Sequence, residues 1–378
     1  MGNNSVLFFL HPDPVHGSAV KPLMLQPVLF CPALRWVAQS MADCGIRRFF
    51  VVCDEAYAQE AADCLPADAE VTIRSFTDYE ADLPAFMDGM EGSLLLANRA
   101  LLPVEWEGGG LYELPRFEAD AHLAELADYQ EGDYAEEPDF SPVADMTAFQ
   151  ALTQICRRQI IRRHVQNGVF VVDPDAVYID PRVKIGCGTV LLPGTILRGE
   201  TVIGQNCEIG PNAMVRDCTV GDGTVINASQ ANESSIGCHT RIGPFAYLRP
   251  GCTVADHVKI GDFVEVKNST IGDHTSISHL TYIGDSDVGE RVNFGCGTVT
   301  TNYDGAKKYR CSIGSGSFIG CNTNLVAPVS VGDGAYIAAG STITKDVPAD
   351  ALAIARVREE TVKENWAAKR RALLKSKY

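Results

Sequence analysis

The spacing of apolar and polar residues differs between the two halves of the chain. From Ile179 to Ile343, aliphatic residues recur almost every six positions, often followed by Gly or another small residue. A period of six fits neither a helix, with 3.6 residues per turn, nor a single alternating strand. It predicts short strands joined by tight turns, with stacked aliphatic side chains filling a narrow interior, which is the hexapeptide β-helix pattern. The series comprises Ile179, Ile185, Leu191, Leu197, Ile203, Ile209, Val215, Val220, Ile226, Ile236, Ile242, Leu248, Val254, Ile260, Val266, Ile271, Ile277, Ile283, Val288, Phe294, Ile313, Ile319, Leu325, Val331, Ile337 and Ile343.

One polar insertion clearly interrupts this spacing. Residues 301–312 read TNYDGAKKYRCS and separate Thr300 from Ile313. Because the interior of such a coil is too narrow for a ligand, a functional site must lie on an outer face, on a loop or between copies. Repeat proteins commonly place binding on inserted loops, so the insertion predicts a functional loop. A tolerated surface insertion is the alternative interpretation.

The first hundred residues follow the pattern of an α/β domain. Predicted strands cover 6–10, 48–53, 70–74 and 93–97, and predicted helices cover 33–44 and 54–65. Strands that alternate with helices indicate a mainly parallel sheet. An amphipathic helix before the coil is predicted from Met146, Phe149, Leu152, Cys156 and Ile160. A last helix is predicted around 359–374.

Length and charge suggest how these parts are organised. A chain of 378 residues is expected to hold two domains. We predict an α/β domain at 1–104, an acidic linker at 105–144, a linker helix at 145–168, a β-helix at 169–347 and a basic tail at 348–378. The net charge of −16 argues against nucleic acid as the main partner.

Cysteine usage and hydropathy indicate the compartment. The thirteen cysteines are odd in number and contain no CxxC pair, so neither a disulfide framework nor a metal site is predicted. Cys207 and Cys252 occupy small-residue positions of the repeat, where Cys acts as a small apolar side chain. No apolar run approaches the roughly 20 residues that span a bilayer. We therefore expect a cytoplasmic protein with reduced thiols and no membrane span.

Three segments of the coil resemble a known family. They are GPFAYLRPG at 243–251, the stretch from FVEVKN through HLTYIGD to TNYDGAKKY at 263–309, and LVAPVSVGDGAYIAAGSTITKDV at 325–347. These segments resemble bacterial UDP-N-acetylglucosamine pyrophosphorylase/glucosamine-1-phosphate N-acetyltransferases, over about 148–356. The resemblance implies a left-handed parallel β-helix that forms homotrimers with sites shared between chains. It also implies acetyl-CoA-dependent N-acetylation of glucosamine 1-phosphate, in UDP-N-acetylglucosamine and peptidoglycan precursor synthesis.

The resemblance assigns substrate-side roles to six residues. Arg249 and Lys267 match positions that hold the sugar phosphate, and two cations suit a dianion. His279 matches the general base, and an imidazole is a suitable acceptor for the amine proton. Further substrate contacts are expected from Tyr282, Asn293 and Lys308.

A second set of residues is expected to bind acetyl-CoA. It comprises Cys296, Asn302, Tyr303, Cys321, Ala339 and Arg356. Two of these depart from the family pattern, because Cys296 stands where Ala is usual and Cys321 where Ser is usual. Both remain small, but a thiol is a weaker hydrogen-bond donor than the serine hydroxyl.

The N-terminal domain departs further from the family. A Gly-rich phosphate loop is replaced by LHPDPVHGSAVKP at 10–22, whose prolines remove amide donors. At the position of a metal-binding Asp the chain has Asn98 followed by Arg99. We therefore expect a reduced nucleotidyltransferase-like domain without uridylyltransferase activity. Mg²⁺ would be a cofactor of this protein only if that activity persists.

Other functions remain open from the sequence. The chain could be a bifunctional enzyme that retains uridylyltransferase activity, or an N-acyltransferase for another amino sugar phosphate. His239, His257, His274 and His279 also resemble the scattered zinc-binding histidines of γ-class carbonic anhydrases. A non-enzymatic assembly subunit is the remaining alternative.

Overall fold

The computed structural model describes residues 4–11, 21–88, 90–98, 112–114, 146–357 and 364–375. In the N-terminal part of the chain it contains a mainly parallel five-stranded sheet. Its elements are β1 Ser5–Phe9, the short hairpin β2 Pro27–Val28 and β3 Cys31–Pro32, α1 Ala33–Asp43, β4 Arg48–Val52, α2 Ala58–Asp63, β5 Glu70–Arg74, α3 Tyr79–Asp88, β6 Leu94–Asn98 and β7 Tyr112–Leu114. The sheet order is β5-β4-β1-β6-β7, with only β7 antiparallel to its neighbour. The four predicted strands are thereby confirmed.

Two elements of this N-terminal part, a helix and an edge strand, were not predicted. The helix α3 buries Tyr79, Leu83, Phe86 and Met87, which have helical spacing, although Pro84 inside it makes a helix less favourable. The strand β7 lies within the segment 105–144 that the charge pattern assigns to a linker. Local sequence therefore identified the buried centre of the sheet better than its edge.

A long helix, α4 Met146–Gln166, leads into the coil as predicted. Its apolar residues Cys156 and Ile160 are buried. Arg157 is buried as well, and its guanidinium contacts the Asp175 carboxylate at 2.8 Å and lies over the Tyr178 ring. A final helix, α5, covers Trp366–Lys375 and overlaps the C-terminal helix predicted around 359–374, of which 359–363 lie outside the described residues.

The chain divides into two units, Met1–Ala228 and Ser229–Tyr378, and each contains β-helix coils. In the first unit the coil strands are β8 Phe170–Val171, β9 Tyr178–Ile179, β10 Lys184–Ile185, β11 Val190–Leu191, β12 Ile196–Arg198, β13 Val202–Ile203, β14 Glu208–Ile209, β15 Met214–Arg216, β16 Thr219–Val220 and β17 Val225–Ile226. Each coil contributes one strand to each of three parallel sheets. The predicted left-handed parallel β-helix is confirmed.

The second unit has the same three-sheet pattern. Its strands are β18 Gln230–Asn232, β19 Ser235–Ile236, β20 Arg241–Ile242, β21 Tyr247–Leu248, β22 Thr253–Val254, β23 Lys259–Asp262, β24 Glu265–Lys267, β25 Thr270–Ile271, β26 Ser276–His279, β27 Tyr282–Gly284, β28 Ser286–Val288, β29 Asn293–Phe294, β30 Val299–Thr301, β31 Cys311–Ile313, β32 Phe318–Ile319, β33 Asn324–Val326, β34 Val329–Val331, β35 Tyr336–Ile337, β36 Thr342–Ile343 and β37 Leu352–Ala353. Residues of the six-step series point inward, and all except Ile185 are at most 5% exposed.

Small polar residues inside the turns join successive coils. Thr189 Oγ1 donates to Gly204 O at 2.8 Å and accepts from Cys207 N at 3.1 Å. One coil later the Cys207 thiol donates to Gly221 O at 3.2 Å. Burial raises the pKa of the Cys207 and Cys252 thiols, so they stay protonated. These cysteines are therefore small fillers, as predicted, and also hydrogen-bond donors.

None of the helices in the described ranges is long and apolar enough to cross a membrane.

Candidate active site

His279 forms a carboxylate–imidazole pair with Asp262 on the preceding coil. Strands β23 and β26 are parallel neighbours, and their register pairs Asp262 with His279. His279 Nδ1 lies 2.7 Å from Asp262 Oδ1, while 57% of the imidazole side chain is exposed. The hydrogen bond from His279 is the main reason that the pKa of Asp262 lies below its ordinary value. An ionised Asp262 accepts the Nδ1 proton, which leaves Nε2 with a lone pair that can receive a proton.

The two predicted phosphate cations lie on the next sheet face of the same coils. Register pairs Leu248 with Val266, so Arg249 and Lys267 occupy equivalent positions at the ends of β21 and β24. Arg249 Nη1 lies 2.9 Å from Glu265 Oε1, and Lys267 Nζ lies 3.4 Å from Asp285 Oδ2. Each cation is thus oriented by one carboxylate and keeps donors for a further anion.

Lys308 joins these cations from the inserted loop. The neighbouring Lys267 ammonium is the main cause that lowers the pKa of Lys308, and Arg249 acts in the same direction. The lowered pKa shows that Lys308 lies close to these two cations, and a bound dianion would offset the concentrated positive charge. The structure therefore brings together three of the residues that the sequence assigns to the sugar phosphate.

Asp285 connects the cations to the inserted loop. It is only 5% exposed and accepts hydrogen bonds from Asn268 Nδ2, at 2.6 Å, and from Asn302 Nδ2. Burial raises the pKa of Asp285, but these amides and the Lys267 ammonium more than offset that effect and lower the pKa below its ordinary value. Asn302 is expected from the resemblance to contact acetyl-CoA; in the structure it is buried and bonds to this carboxylate.

The tyrosine ring expected to contact the sugar requires a glycine beside it. A Cβ atom added to Gly284 would lie 2.3 Å from Tyr282 Oη and 2.8 Å from Asn302 Nδ2. Register pairs Gly284 with Lys267, so the missing side chain leaves room for the phenol next to the cations. Asn302 Nδ2 also approaches Tyr282 Oη at 3.5 Å. Gly284, like Asp262 and Asp285, was not among the predicted site residues.

The insertion at 301–312 forms an anchored loop. Tyr303 and Lys308 face each other in an antiparallel bridge, and Asp304 Oδ1 accepts from the backbone of Ala306 and Lys307 at 2.8 and 2.7 Å. At the end of the loop, Arg310 donates to both oxygens of the Asp287 carboxylate. The Tyr303 side chain is exposed, as a ligand contact requires.

Three of the residues predicted to bind acetyl-CoA, Cys296, Cys321 and Ala339, lie at one corner of the coil. Register pairs Ile277 with Phe294, Phe294 with Ile319 and Ile319 with Ile337. The residue two positions after each of these lies at the same corner of its coil. Asp262, two positions after Ile260, occupies that corner on the coil before His279. We call this the dyad column; from one coil to the next it contains Asp262, His279, Cys296, Cys321 and Ala339. Arg356 joins its end by donating to Ala339 O at 2.9 Å.

Asn293 occupies a different position from the other sugar-side residues. It is exposed on the outer face of β29, paired with Ser276 and Phe318 on the neighbouring coils. Within the described part of the chain, no hydrogen bond joins Asn293 to Arg249, Lys267 or Tyr282. Its predicted sugar contact stays a prediction.

The three other histidines that the sequence compares with zinc ligands, His239, His257 and His274, form a separate histidine stack. Their ring centroids are 5.2 and 4.8 Å apart, with interplanar angles of 14° and 3°. Side chains that stack face to face do not direct their nitrogens at a common point. Among the described residues, no group of three or more His, Cys, Asp or Glu side chains is arranged to hold a metal ion.

Most of the signals expected for a nucleotide site in the N-terminal domain cannot be placed. Of the loop at 10–22, residues 12–20 lie outside the described residues, and so does Arg99. The backbone of Asn98 ends β6, but its side chain is not described. The predicted loss of uridylyltransferase activity stays a prediction.

Comparison with known proteins supports the resemblance of the coil. The family model of the GMPPB C-terminal domain matches residues 172–279, and the model of the bacterial transferase hexapeptide (six repeats) matches residues 310–345. The bifunctional protein GlmU of Geobacillus sp. (strain WCH70) is 53% identical over 224 residues, which are 59% of this chain and 49% of that protein. The GlmU of Alkaliphilus oremlandii (strain OhILAs) is 54% identical over 221 residues, or 58% and 48% of the two chains.

The matches to these relatives cover only part of each protein. The chain spans about half the length of the curated relatives that it matches. Among solved structures, the match to LpxA from Acinetobacter baumannii covers 51% of this chain and 77% of the LpxA chain, with 19% identity and a TM-score of 0.24. That score is too low for a residue-by-residue comparison. The predicted similarity to bacterial bifunctional GlmU proteins is confirmed for the coil.

Proposed function

We propose that the chain transfers the acetyl group of acetyl-CoA to the amine of glucosamine 1-phosphate. The observation that carries this proposal is the position of the Asp262–His279 pair on the same coils as Arg249 and Lys267, which Lys308 approaches from the inserted loop. A proton acceptor beside a dianion site suits a substrate that has both an amine and a phosphate. Similarity to bifunctional GlmU proteins supports the same function.

The residues divide the reaction between them. His279 Nε2 accepts a proton from the substrate ammonium, because Asp262 holds the imidazole through Nδ1. The freed amine then attacks the thioester carbonyl, the carbon–sulfur bond breaks, and CoA leaves as the thiol after protonation. The cations fix the other end of the sugar and so bring the amine to the imidazole.

Acetyl-CoA is proposed to lie along the dyad column beyond His279. Cys296, Cys321 and Ala339 are small side chains that leave space there, and Arg356 supplies a cation at the end of the column. Asn302, Tyr303 and Asn293 would complete the two substrate sites. We propose a homotrimer in which sites are shared between chains, and a role in supplying UDP-N-acetylglucosamine in the cytoplasm.

An assay of CoA release tests the proposal. The purified protein is incubated with acetyl-CoA and glucosamine 1-phosphate, and parallel reactions contain glucosamine 6-phosphate or UTP with N-acetylglucosamine 1-phosphate and Mg²⁺. We expect CoA release with glucosamine 1-phosphate and no pyrophosphate in the UTP reaction. Faster CoA release with the 6-phosphate would favour another amino sugar phosphate. Pyrophosphate formation would show that the N-terminal domain retains uridylyltransferase activity.

A further inference from the structure

We infer that Cys296 and Cys321 are a thiol pair that closes to a reversible disulfide within the dyad column. The two cysteines lie at equivalent positions of successive coils, because register pairs Phe294 with Ile319 two residues before them. Cys296 O also accepts from Asn322 N at 2.8 Å, so the two coils remain paired through the corner itself.

The spacing of coils suits a disulfide. Adjacent parallel strands lie about 4.7–4.9 Å apart, and the Cα atoms of a disulfide are usually 4.4–6.8 Å apart. The column also shows that side chains at this corner can meet across coils, because Asp262 and His279 do so at 2.7 Å. Two thiols one coil farther along can approach each other in the same direction.

Accessibility separates this pair from the other cysteines. Cys321 is exposed and Cys296 is partly exposed, whereas eight of the thirteen cysteines are buried. Burial raises the pKa of buried thiols such as Cys207, Cys252 and Cys311, which makes them poor nucleophiles. An oxidant can therefore reach the pair but not most of the remaining thiols.

Among the other accessible cysteines of the described coils, Cys187 and Cys238, neither has a thiol at the neighbouring register position. Exposed Cys187 is paired with Gln205, since Ile185 pairs with Ile203 two residues earlier. Partly exposed Cys238 is paired with Asp256, whose carboxylate accepts from the Cys238 amide at 2.6 Å. Cys187 therefore serves as a matched control, with similar exposure but no partner thiol.

A hydroperoxide such as hydrogen peroxide completes the chemistry. The Cys321 thiolate attacks one peroxide oxygen, the O–O bond breaks, and a sulfenic acid and water form. The Cys296 thiolate then attacks the sulfenic sulfur and expels a second water after proton uptake. The two thiols lose two electrons in total, and the peroxide is reduced to two waters.

The consequence for activity rests on the proposed function. Cys296 adjoins His279 in the column, and both cysteines belong to the proposed acetyl-CoA site. A disulfide there would replace two separate, rotatable thiols by one fixed S–S bridge in the path proposed for the thioester. Oxidation would therefore inhibit acetyl transfer, and reduction would restore it.

Mass spectrometry of the full chain tests the pairing without an activity assay. Protein treated with hydrogen peroxide is alkylated and digested with trypsin, which cleaves after Lys307, Lys308 and Arg310 between the two cysteines. We expect a peptide pair joined through Cys296 and Cys321 that separates on treatment with dithiothreitol. The Cys187→Ser variant should give the same pair, and Cys321→Ser should not. Recovery of Cys296 and Cys321 as free thiols, or separately as sulfinic acids, would overturn the inference.

CoA release measured on the same samples distinguishes the two proposals. Peroxide should lower the rate at least tenfold in the wild type and in Cys187→Ser, with recovery after reduction. A cross-linked pair with an unchanged rate would overturn the regulatory part of the inference. A cross-linked pair in a protein that is inactive even when reduced would count against acetyl transfer and leave the disulfide standing.

Discussion

Two corners of the unit Ser229–Tyr378 carry histidines in very different settings. In the dyad column, His279 follows Asp262 on the preceding coil and bonds to its carboxylate. In the histidine stack, His257 lies between His239 and His274, so each imidazole meets another imidazole. Carboxylates lie nearby, but they bond to the backbone: Asp256 accepts a hydrogen bond from the Cys238 amide, and Asp273 accepts one from the Asp256 amide. The same side chain on the same scaffold is thus oriented by a carboxylate only where its column neighbour is Asp262.

The largest expected effect comes from removing one histidine from each corner. His279→Ala should lower kcat by about 10²–10⁴-fold, because the proton acceptor is lost. His257→Ala should retain the wild-type rate, since no substrate group is proposed to reach the stack. Steady-state kinetics of both variants checks this, with size-exclusion chromatography to show that assembly is unchanged. Equal losses in the two variants would remove the distinction between the corners.

A buried histidine in the helix α4 extends the comparison to stability. His164 is 4% exposed, and burial, with a smaller contribution from Arg163, lowers its pKa to about 4. Its Nε2 has no hydrogen-bond partner among the described residues. Because the unfolded chain takes up the proton near pH 6.5, the stability that neutral His164 provides is present above that pH. It is lost progressively as the pH falls from about 6.5 to about 4.

The cost of this titration can be measured by denaturation. The shift from about 6.5 to about 4 corresponds to roughly 3 kcal/mol of unfolding free energy over that pH window. His164→Leu should flatten the pH dependence of the urea midpoint, and His257→Leu, at an exposed position, should keep the wild-type slope. An unchanged slope in His164→Leu would show that other groups cause the acid sensitivity.

Two lysine variants, one in the site and one outside it, test the phosphate side of the site. Lys267→Ala should raise KM for glucosamine 1-phosphate about 10–100-fold, the range expected for loss of a hydrogen bond to a charged group. Lys184→Ala removes an exposed lysine from a coil strand of the first unit and should leave KM unchanged. Initial rates at varied sugar phosphate provide the measurement. A Lys267→Ala enzyme with normal KM would place the phosphate elsewhere.

The smallest expected effect concerns the carboxylate of the dyad column. Asp262→Asn should lower kcat on the order of tenfold, because the amide no longer fixes the imidazole tautomer as a carboxylate does. Asp262→Glu should recover part of the rate, and a rate–pH profile of each variant separates positioning from folding. If kcat and its pH profile are both unchanged in Asp262→Asn, the dyad has no role in proton transfer.

The sequence predicts this coil better than it predicts the contacts across it. Periodicity alone indicates the stacked strands, and the resemblance identifies His279, Arg249 and Lys267. Asp262 and Asp285 were missed because their partners are 17 positions away in sequence, one full coil later or earlier. Comparing each residue with those 17 or 18 positions away would have found both carboxylates. It would have missed the pairing of Cys296 with Cys321, because the inserted loop separates these two residues by a longer stretch of sequence.

The most direct test of acetyl transfer identifies the product. The protein is incubated with ¹³C-acetyl-CoA and glucosamine 1-phosphate, and the sugar phosphate is analysed by NMR and mass spectrometry. The account predicts labelled N-acetylglucosamine 1-phosphate, formed in proportion to CoA and much more slowly with His279→Ala. Unlabelled glucosamine 1-phosphate recovered after complete incubation with the assembled wild-type protein would contradict it.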